Sequence, residues 1–416
     1  MIPKTTNSRH VLFGNEKVEV FDQSLTDEEI ALLIAERYDK LGFDDPFMVM
    51  NLDEVLEKFH QWKRELPMVE PFYAVKCFPN RVLTRFLAKL GVGYDCASKT
   101  EINDILDLDV SAEKIIYAHP CKPINHIKFA SENGVQMMTF DTVEELEKVK
   151  KFHSKPQLIL RIAVADPSAL CQLNTKFGVN PVKQAPQLIK KAKEIGLNID
   201  GISFHIGSGA NDFTTHEIAI AHSRNLFDYA RSLGHHMHIL DIGGGFPGGE
   251  HKFSFEQIAS IIRSSLEKYF YDDSVRIIAE PGRFFCARPC FECVNVIHAA
   301  QAPREGDDSN HIVYYINDGI FGSFNCKLYD FVHPKGKPLK LDSQAQLFPS
   351  TIWGPTCDGG DKIEENVSLP KMSTGDWLLY QEMGAYTIAG GSTFNGFPRP
   401  KMHYTISNEN YAKYLA

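Results

Sequence analysis

A parallel (β/α)8 barrel followed by an all-β domain is the fold that the sequence predicts, from three observations. Between about residue 70 and residue 283, apolar strand-like runs alternate with amphipathic helix-like runs. Chemically capable polar residues recur where those strand-like runs end, which is where barrels of this class gather their reactive groups. After Arg283 the helical patterns stop, and short strand-like runs follow one another across polar loops. A doubly wound open sheet is the competing arrangement of the same alternation.

The predicted barrel strands are Phe72 to Lys76, Val92 to Cys96, Lys114 to Ala118, Val135 to Phe140, Leu158 to Ile162, Ile199 to His205, His238 to Ile242 and Arg276 to Ala279. Each is a short apolar run, as expected of a parallel strand buried on both faces. Between them, Asn80 to Leu90, Asp141 to His153, Pro181 to Ile195 and Phe255 to Tyr269 carry apolar residues at three- and four-residue spacing and predict helices. Beyond Arg283, Phe291 to His298, Ile312 to Ile316, Lys327 to Val332 and Trp377 to Gln381 predict strands, broken by the polar loop 303–310. The early run Val18 to Phe21 has the same texture and is assigned to that domain. The expected limits are 46–288 for the barrel and 289–416 for the β domain, joined by the segment 1–45.

A chain of 416 residues exceeds the size at which one core stops growing, which also favours two domains. Hydrophobic content of 43% and charged content of 23% are those of a soluble globular protein. A net charge of -9 argues against nucleic acid as a partner, since phosphate binders carry a basic stripe. No apolar signal core opens the chain and no stretch is long enough to span a bilayer, so a cytoplasmic protein without membrane attachment is expected. Nine scattered cysteines fit reduced thiols. Cys290 and Cys293 form a C-x-x-C with no second pair at zinc spacing, so no metal is expected.

The strand ends carry the chemistry. Lys76 closes the first strand, where partial desolvation lets an amine act as a Schiff-base nucleophile. Asp95 ends the second, Arg161 lies in the fifth, and His205 with Ser208 follows the sixth. The glycines 243 to 245 follow the seventh, and Glu280 to Arg283 follow the eighth. Consecutive glycines let backbone N–H groups approach an anion, and Ser208 and Arg283 add a hydroxyl and a bidentate cation to the same cradle. An amine, a phosphate cradle and a carboxylate together describe a pyridoxal phosphate site. Glu280 would keep the pyridine nitrogen protonated, which strengthens the ring as an electron sink and favours decarboxylation. His205 is placed to stack on the ring.

Pro71 to Cys77, Asp95 to Glu101, Ser203 to Gly209, Asp241 to Gly248, Glu280 to Arg283, Gly322 to Cys326, Gly354 to Gly359 and Met383 to Thr387 occur in an order that resembles the eukaryotic ornithine decarboxylases, pyridoxal phosphate enzymes of the alanine-racemase fold group. The resemblance runs through nearly the whole chain. It implies that Lys76 holds the cofactor covalently, with Asp95 and Arg161 beside it, His205 on the ring and Glu280 at the pyridine nitrogen. Ser208, Gly244, Gly245, Arg283 and Tyr386 would hold the phosphate. It further implies a homodimer with shared sites, in which Cys357 and Asp358 enter from the partner while Tyr329 and Asp330 line the substrate pocket. L-ornithine would be the substrate and putrescine the product. Its distal ammonium would lie between Asp330 and Asp358, which compensate the charge it loses on leaving water. Cys357 would deliver a proton after carbon dioxide leaves.

Some positions depart from the family pattern. Phe321 replaces a usual tyrosine, Ala210 a frequent cysteine, and Gly390-Gly391 small alanines. Phe331 follows Tyr329-Asp330 where histidine is common, which opens the alternative of an ornithine/lysine decarboxylase of broader specificity. The segment His119 to Phe140, with Lys122, His126 and Lys128, resembles the surface that binds the inhibitor antizyme. A non-catalytic antizyme-binding homologue is the remaining alternative, and it would have lost residues that this chain keeps. The absence of the degradation tail of vertebrate members implies weaker tail-driven turnover. The polar stretch 165–174 is a candidate gating loop.

Overall fold

The structure is a computed structural model that describes residues 6–164, 175–209, 212, 214–249, 251–271, 274–301, 310–340 and 344–416. The chain divides into two compact units, Lys58–Phe285 and a second formed by Met1–Glu57 with Cys286–Ala416.

The first unit is the predicted barrel. Its strands are Val69–Ala74, Gly93–Cys96, Ile115–Tyr117, Met137–Phe140, Gln157–Ile162, Gly201–Phe204, Ile239–Asp241 and Arg276–Ala279. All neighbours pair in parallel, and the last strand closes onto the first. The barrel core is filled by Phe72, Ile116, Met137, Ile159, Ile239 and Ile278. Helices follow the strands where the amphipathic patterns predict, among them Arg81–Lys89, Val143–Phe152, Ala185–Glu194 and Phe255–Phe270. Their starts obey local rules: the Asn80 side chain accepts from the N–H groups of Val82 and Leu83, and Ser254 with Gln257 forms a reciprocal capping box.

At the strand starts, Glu70 bonds Arg276 through both carboxylate oxygens at 2.9 Å and Lys114 at 3.2 Å. The hydrogen bond and charge of Arg276 outweigh desolvation and hold this carboxyl down at about 2. A depressed carboxylate contributes stability that is fully present above its unfolded value of about 4.5 and is lost as pH falls toward the folded value. The stability difference between wild type and Glu70→Gln is therefore expected to be constant above pH 5 and to shrink below about 4.5, measured by denaturant unfolding across that range. A difference that does not change with pH would remove this reading.

The second unit is a mixed sheet. Ser8–Phe13 and Glu16–Phe21 form an antiparallel hairpin, and the late strand Lys401–Ser407 runs parallel to both Glu16–Phe21 and Phe47–Asn51. Phe47–Asn51 pairs antiparallel with the long strand Cys290–Gln301, which continues to Ile312–Ile316, Leu347–Trp353 and Lys362–Pro370. Trp377–Tyr380 pairs with Cys290–Gln301 at a branch of the sheet. One core gathers Val294, Tyr314, Phe324, Leu378 and Tyr380; a second packs Ile30, Ile34 and Tyr38 of the helix Asp27–Leu41 on Phe47 and Phe291.

Two expectations need correction. The expected barrel limit of 46 falls too early, because Phe47–Asn51 is a strand of the sheet unit, its five residues all buried there, and that unit runs to Glu57. Lys327 to Val332 was read as a strand, but Cys326–Tyr329 is a helical turn that continues the 3-10 turn Ser323–Asn325. The Lys327 ammonium bonds the backbone carbonyls of Lys362 and Ile363, which fastens this turn on the sheet. Among the described residues, no helix is long and apolar enough to cross a membrane. The candidate gating loop 165–174 and most of the polar loop 303–310 lie outside the described residues.

Candidate active site at the mouth of the barrel

The barrel brings nine of the predicted site positions to the C-terminal ends of its strands. The first strand stops at Ala74, and Lys76 lies just beyond it in the 3-10 turn Val75–Cys77. That turn is fixed by the Tyr73 hydroxyl, which donates to the Phe78 carbonyl at 3.1 Å, and by Ala74 N–H on the Pro281 carbonyl at 3.2 Å. Gly282 packs against Ala74 and Cys77, where a side-chain carbon would fall 2.9 Å from Cys77 Cβ. The Lys76 ammonium forms an ion pair with Asp95 Oδ2. Asp95 is fully buried on the second strand, and its Oδ1 has no hydrogen-bond partner.

Arg161 lies in the fifth strand with its guanidinium 5.5 Å from the centre of the Phe177 ring; its Nε is buried without a partner. His205 follows the sixth strand, and its Nδ1 accepts the Gly207 N–H at 3.0 Å. That bond leaves the proton of a neutral imidazole on Nε2. Desolvation, followed by the nearby charges of Arg161 and Lys76, pushes His205 well below the ordinary histidine range, so the ring is neutral at physiological pH.

The glycine run after the seventh strand is required by space. A side chain at Gly243 would strike the Phe204 carbonyl, and one at Gly245 the Gly207 carbonyl. At Gly244 it would sit 2.7 Å from the Glu280 carbonyl oxygen and 2.8 Å from His205 Nε2. Gly243 and Gly245 also hold φ of 65° and 100°, which glycine adopts without strain. Glu280 follows the eighth strand, its N–H bonded to the Gly243 carbonyl at 2.7 Å. Burial, with Asp241 and Asp95 beside it, raises the Glu280 carboxyl well above the usual range. Ser208 lies in the loop after the sixth strand, and Arg283 opens the short helix Arg283–Cys286 after the eighth.

Asp241 also belongs to this site, although in the sequence it stands out only as the start of the motif Asp241 to Gly248. It ends the seventh strand, is 1% exposed, and lies within hydrogen-bonding reach of Glu280. The signal that could have found it is an acid closing an otherwise apolar barrel strand immediately before the glycine run.

The remaining predicted residues lie in the sheet unit. Asp330 is buried at the end of the Cys326–Tyr329 turn, whereas Tyr329 is 72% exposed. Cys357 and Asp358 are exposed in the turn between Leu347–Trp353 and Lys362–Pro370. Cys357 N–H donates to Asn395 at 3.0 Å, and Gly360 N–H to Asp358 at 2.7 Å. Tyr386 is half-buried and holds a left-handed φ of 55°, a costly conformation for an aromatic residue and one that marks functional positions. Lys122, which the resemblance places on the antizyme-binding surface, is instead fully buried. Its ammonium pairs with Glu145 at 2.9 Å and donates to the carbonyls of Thr139 and His119, because a charge so enclosed must find every partner inside the fold.

Known proteins match this arrangement along the chain. A family model described as "Pyridoxal-dependent decarboxylase, pyridoxal binding domain" matches residues 52–287, and "Pyridoxal-dependent decarboxylase, C-terminal sheet domain" matches residues 269–384. The chain belongs to the pyridoxal-dependent decarboxylase family. Ornithine decarboxylase of Caenorhabditis elegans is 49% identical, with 97% of each chain covered. Antizyme inhibitor 2 of Xenopus laevis is 46% identical over 91% of this chain and 84% of its own length. The crystal structure of the lysine/ornithine decarboxylase of Vibrio vulnificus complexed with putrescine superposes with a TM-score of 0.81 at 33% identity, covering 93% of this chain and all of that one. The cofactor of this decarboxylase is pyridoxal 5'-phosphate. The site's own chemistry fits that group: an amine, a glycine-walled cradle, and buried polar atoms on Asp95, Arg161 and Glu280 that lack partners.

Proposed function

We propose that this chain decarboxylates L-ornithine to putrescine, a first step of polyamine synthesis, with pyridoxal phosphate held at the barrel mouth. The observation that carries the reading is the convergence of Lys76, Asp95, Arg161, His205 and Glu280 on one barrel end beside the glycine cradle. Bound there, pyridoxal phosphate supplies an electron sink for the pair left behind when the carboxylate departs. Lys76 would hold the cofactor through its amine, which Asp95 keeps oriented. Glu280 would stand at the pyridine nitrogen, and neutral His205 would offer its ring face. Backbone N–H groups at Gly244 and Gly245, with Ser208, Arg283 and Tyr386, would hold the phosphate. Asp330 and Asp358 take the distal ammonium of ornithine, Tyr329 lines its pocket, and Cys357 gives the proton that replaces carbon dioxide.

We infer that the working unit is a homodimer whose partner supplies Cys357 and Asp358. Leu328, Tyr329, Phe331, Phe394 and Phe397 are exposed apolar groups of the sheet unit, and the Phe321 and Phe394 rings lie 4.5 Å apart. Exposed apolar groups of this size favour burial against another chain. Antizyme is the proposed regulatory partner at His119 to Phe140, through exposed Lys128 and half-buried His126 rather than through Lys122. The cytoplasm is the proposed location, in keeping with nine cysteines scattered along the chain rather than set in a disulfide framework.

One observation favours the broader specificity. Phe331 is 53% exposed and holds a left-handed φ of 57°, so a bulky ring is kept in a strained conformation beside Asp330. One methylene of substrate length is worth roughly tenfold to 200-fold in an apolar pocket. Protein loaded with pyridoxal phosphate is expected to release carbon dioxide from L-ornithine at least about tenfold faster, in kcat/KM, than from L-lysine. Phe331→His is expected to widen that ratio. Lysine turning over faster than ornithine would overturn the substrate assignment, and no release from ornithine, lysine, arginine or diaminopimelate would leave the non-catalytic reading in its place.

A further inference from the structure

Asp241 and Glu280 present an arrangement that needs a proton. Asp241 Oδ1 accepts the Gly243 N–H at 2.9 Å. Its Oδ2 is buried without a donor, and so is Glu280 Oε1. The two side chains nevertheless lie within hydrogen-bonding reach of each other. Two acceptor groups facing one another in a buried site repel unless a proton lies between them. The Gly243 turn enforces the approach, because its N–H holds Asp241 while its carbonyl holds the Glu280 N–H.

The other charged groups around the pair do not relieve it. Asp95 adds a third carboxylate, whose charge is taken up by Lys76. Arg161 and Lys76 act on the pair at a distance, and His205 nearby is neutral. Burial accordingly raises both carboxyls of the pair, and the proton belongs to the two together.

We propose that Asp241 is a positioning residue that shares one proton with Glu280, holding it on Oδ2 when Glu280 faces a cationic nitrogen. With Asp241 neutral and donating, one Glu280 oxygen is capped and the other is left as a single, oriented negative charge. Two ionised carboxylates would instead push each other out of line, while a protonated Glu280 would offer a pyridinium N–H only a neutral carbonyl oxygen, without the negative charge that keeps the nitrogen protonated. The inference rests on the assignment of Glu280 to the pyridine nitrogen and adds the group that sets its charge.

The test uses the fact that Asp241→Asn reproduces the neutral acid: its carbonyl still accepts from Gly243 while its amide N–H donates to Glu280. Asp241→Ala supplies neither. Pyridoxal phosphate affinity of Asp241→Asn is expected to stay within about threefold of wild type, with Asp241→Ala weakened about tenfold or more. In protein free of cofactor, the infrared band of a protonated carboxyl is expected in wild type at pH 7 and is expected to be shifted or diminished in both Asp241→Asn and Glu280→Gln.

Linkage provides a further readout in the same cofactor-free protein. A carboxyl whose folded pKa is raised costs stability as pH rises above its unfolded value, so Asp241→Asn should gain stability relative to wild type between pH 5 and pH 8. Equal loss of cofactor affinity in Asp241→Asn and Asp241→Ala would overturn the proposal, as would a wild-type infrared band unchanged by either substitution. The infrared readout stands even where Asp241→Ala fails to fold. Wild type that binds no cofactor would sink the assignment of the site instead, and the infrared difference would still report on the shared proton.

Discussion

Lys76→Ala protein supplied with pyridoxal phosphate is expected to release carbon dioxide from L-ornithine about 10⁴-fold more slowly than wild type, or slower still. The expectation follows from the position of the amine. Lys76 stands in a turn whose backbone is tied to Phe78 and Pro281, and its ammonium is directed onto a fully buried carboxylate. Alanine removes the nucleophile and also strands Asp95 beside Glu280 and Asp241, so unfolding must be measured in parallel. Lys76→Arg separates the two effects. A guanidinium keeps the ion pair with Asp95 but remains protonated and cannot act as a nucleophile. The arginine variant is therefore expected to melt near wild type while matching the alanine variant in inactivity. Substantial turnover by folded Lys76→Arg would show that the position supplies charge rather than a bond.

The barrel was legible because each of its strands is enclosed on both faces and so reads as a short apolar run, with an amphipathic helix after it. What the pattern could not assign was Phe47–Asn51, an apolar run of the same texture. Its place is decided by distant partners: Met48 opposite Glu292 in one direction and Met402 in the other. Lys327 to Val332 misled for a related reason, since alternation over six residues cannot anticipate that one ammonium will cap carbonyls at Lys362 and Ile363. Local pattern also misjudged Lys122, because the acid that pairs with it, Glu145, lies 23 residues on, in the helix Val143–Phe152.

The site divides the same way. Gly244 was readable as part of a run, and the structure adds the reason, a wall formed by the Glu280 carbonyl and His205. The cradle could be read because glycine is irreplaceable there. The Asp241–Glu280 pair was hidden because its meaning depends on two acceptors meeting across neighbouring strands, and no spacing along the chain encodes that.

Mixing Lys76→Ala chains with Cys357→Ala chains is expected to restore about one quarter of wild-type activity. The sheet unit presents Cys357 in a way suited to a site completed by another chain. The Asp361 carboxylate fixes its turn by accepting from Ile320 N–H at 2.8 Å, Thr356 N–H at 3.0 Å and the Thr356 hydroxyl at 2.6 Å. Gly319 and Gly354 lie so close to that carboxylate that no side chain fits between them. The turn is thus rigid at its base, while Cys357 and Asp358 at its tip remain exposed. In the proposed homodimer, this exposed thiol and carboxylate would be met by the surface of the other chain. In a two-fold dimer with shared sites, random exchange makes about half of all dimers mixed. Each mixed dimer holds one site with both substitutions and one with neither, which gives the one-quarter value. Each parent alone should be nearly inactive, since loss of a proton donor costs roughly 10²–10⁴-fold. Recovery is read as carbon dioxide release after mixing, alongside a tag-based measure of subunit exchange. Exchange without recovery would place Cys357 in its own chain's site and end the cross-subunit assignment.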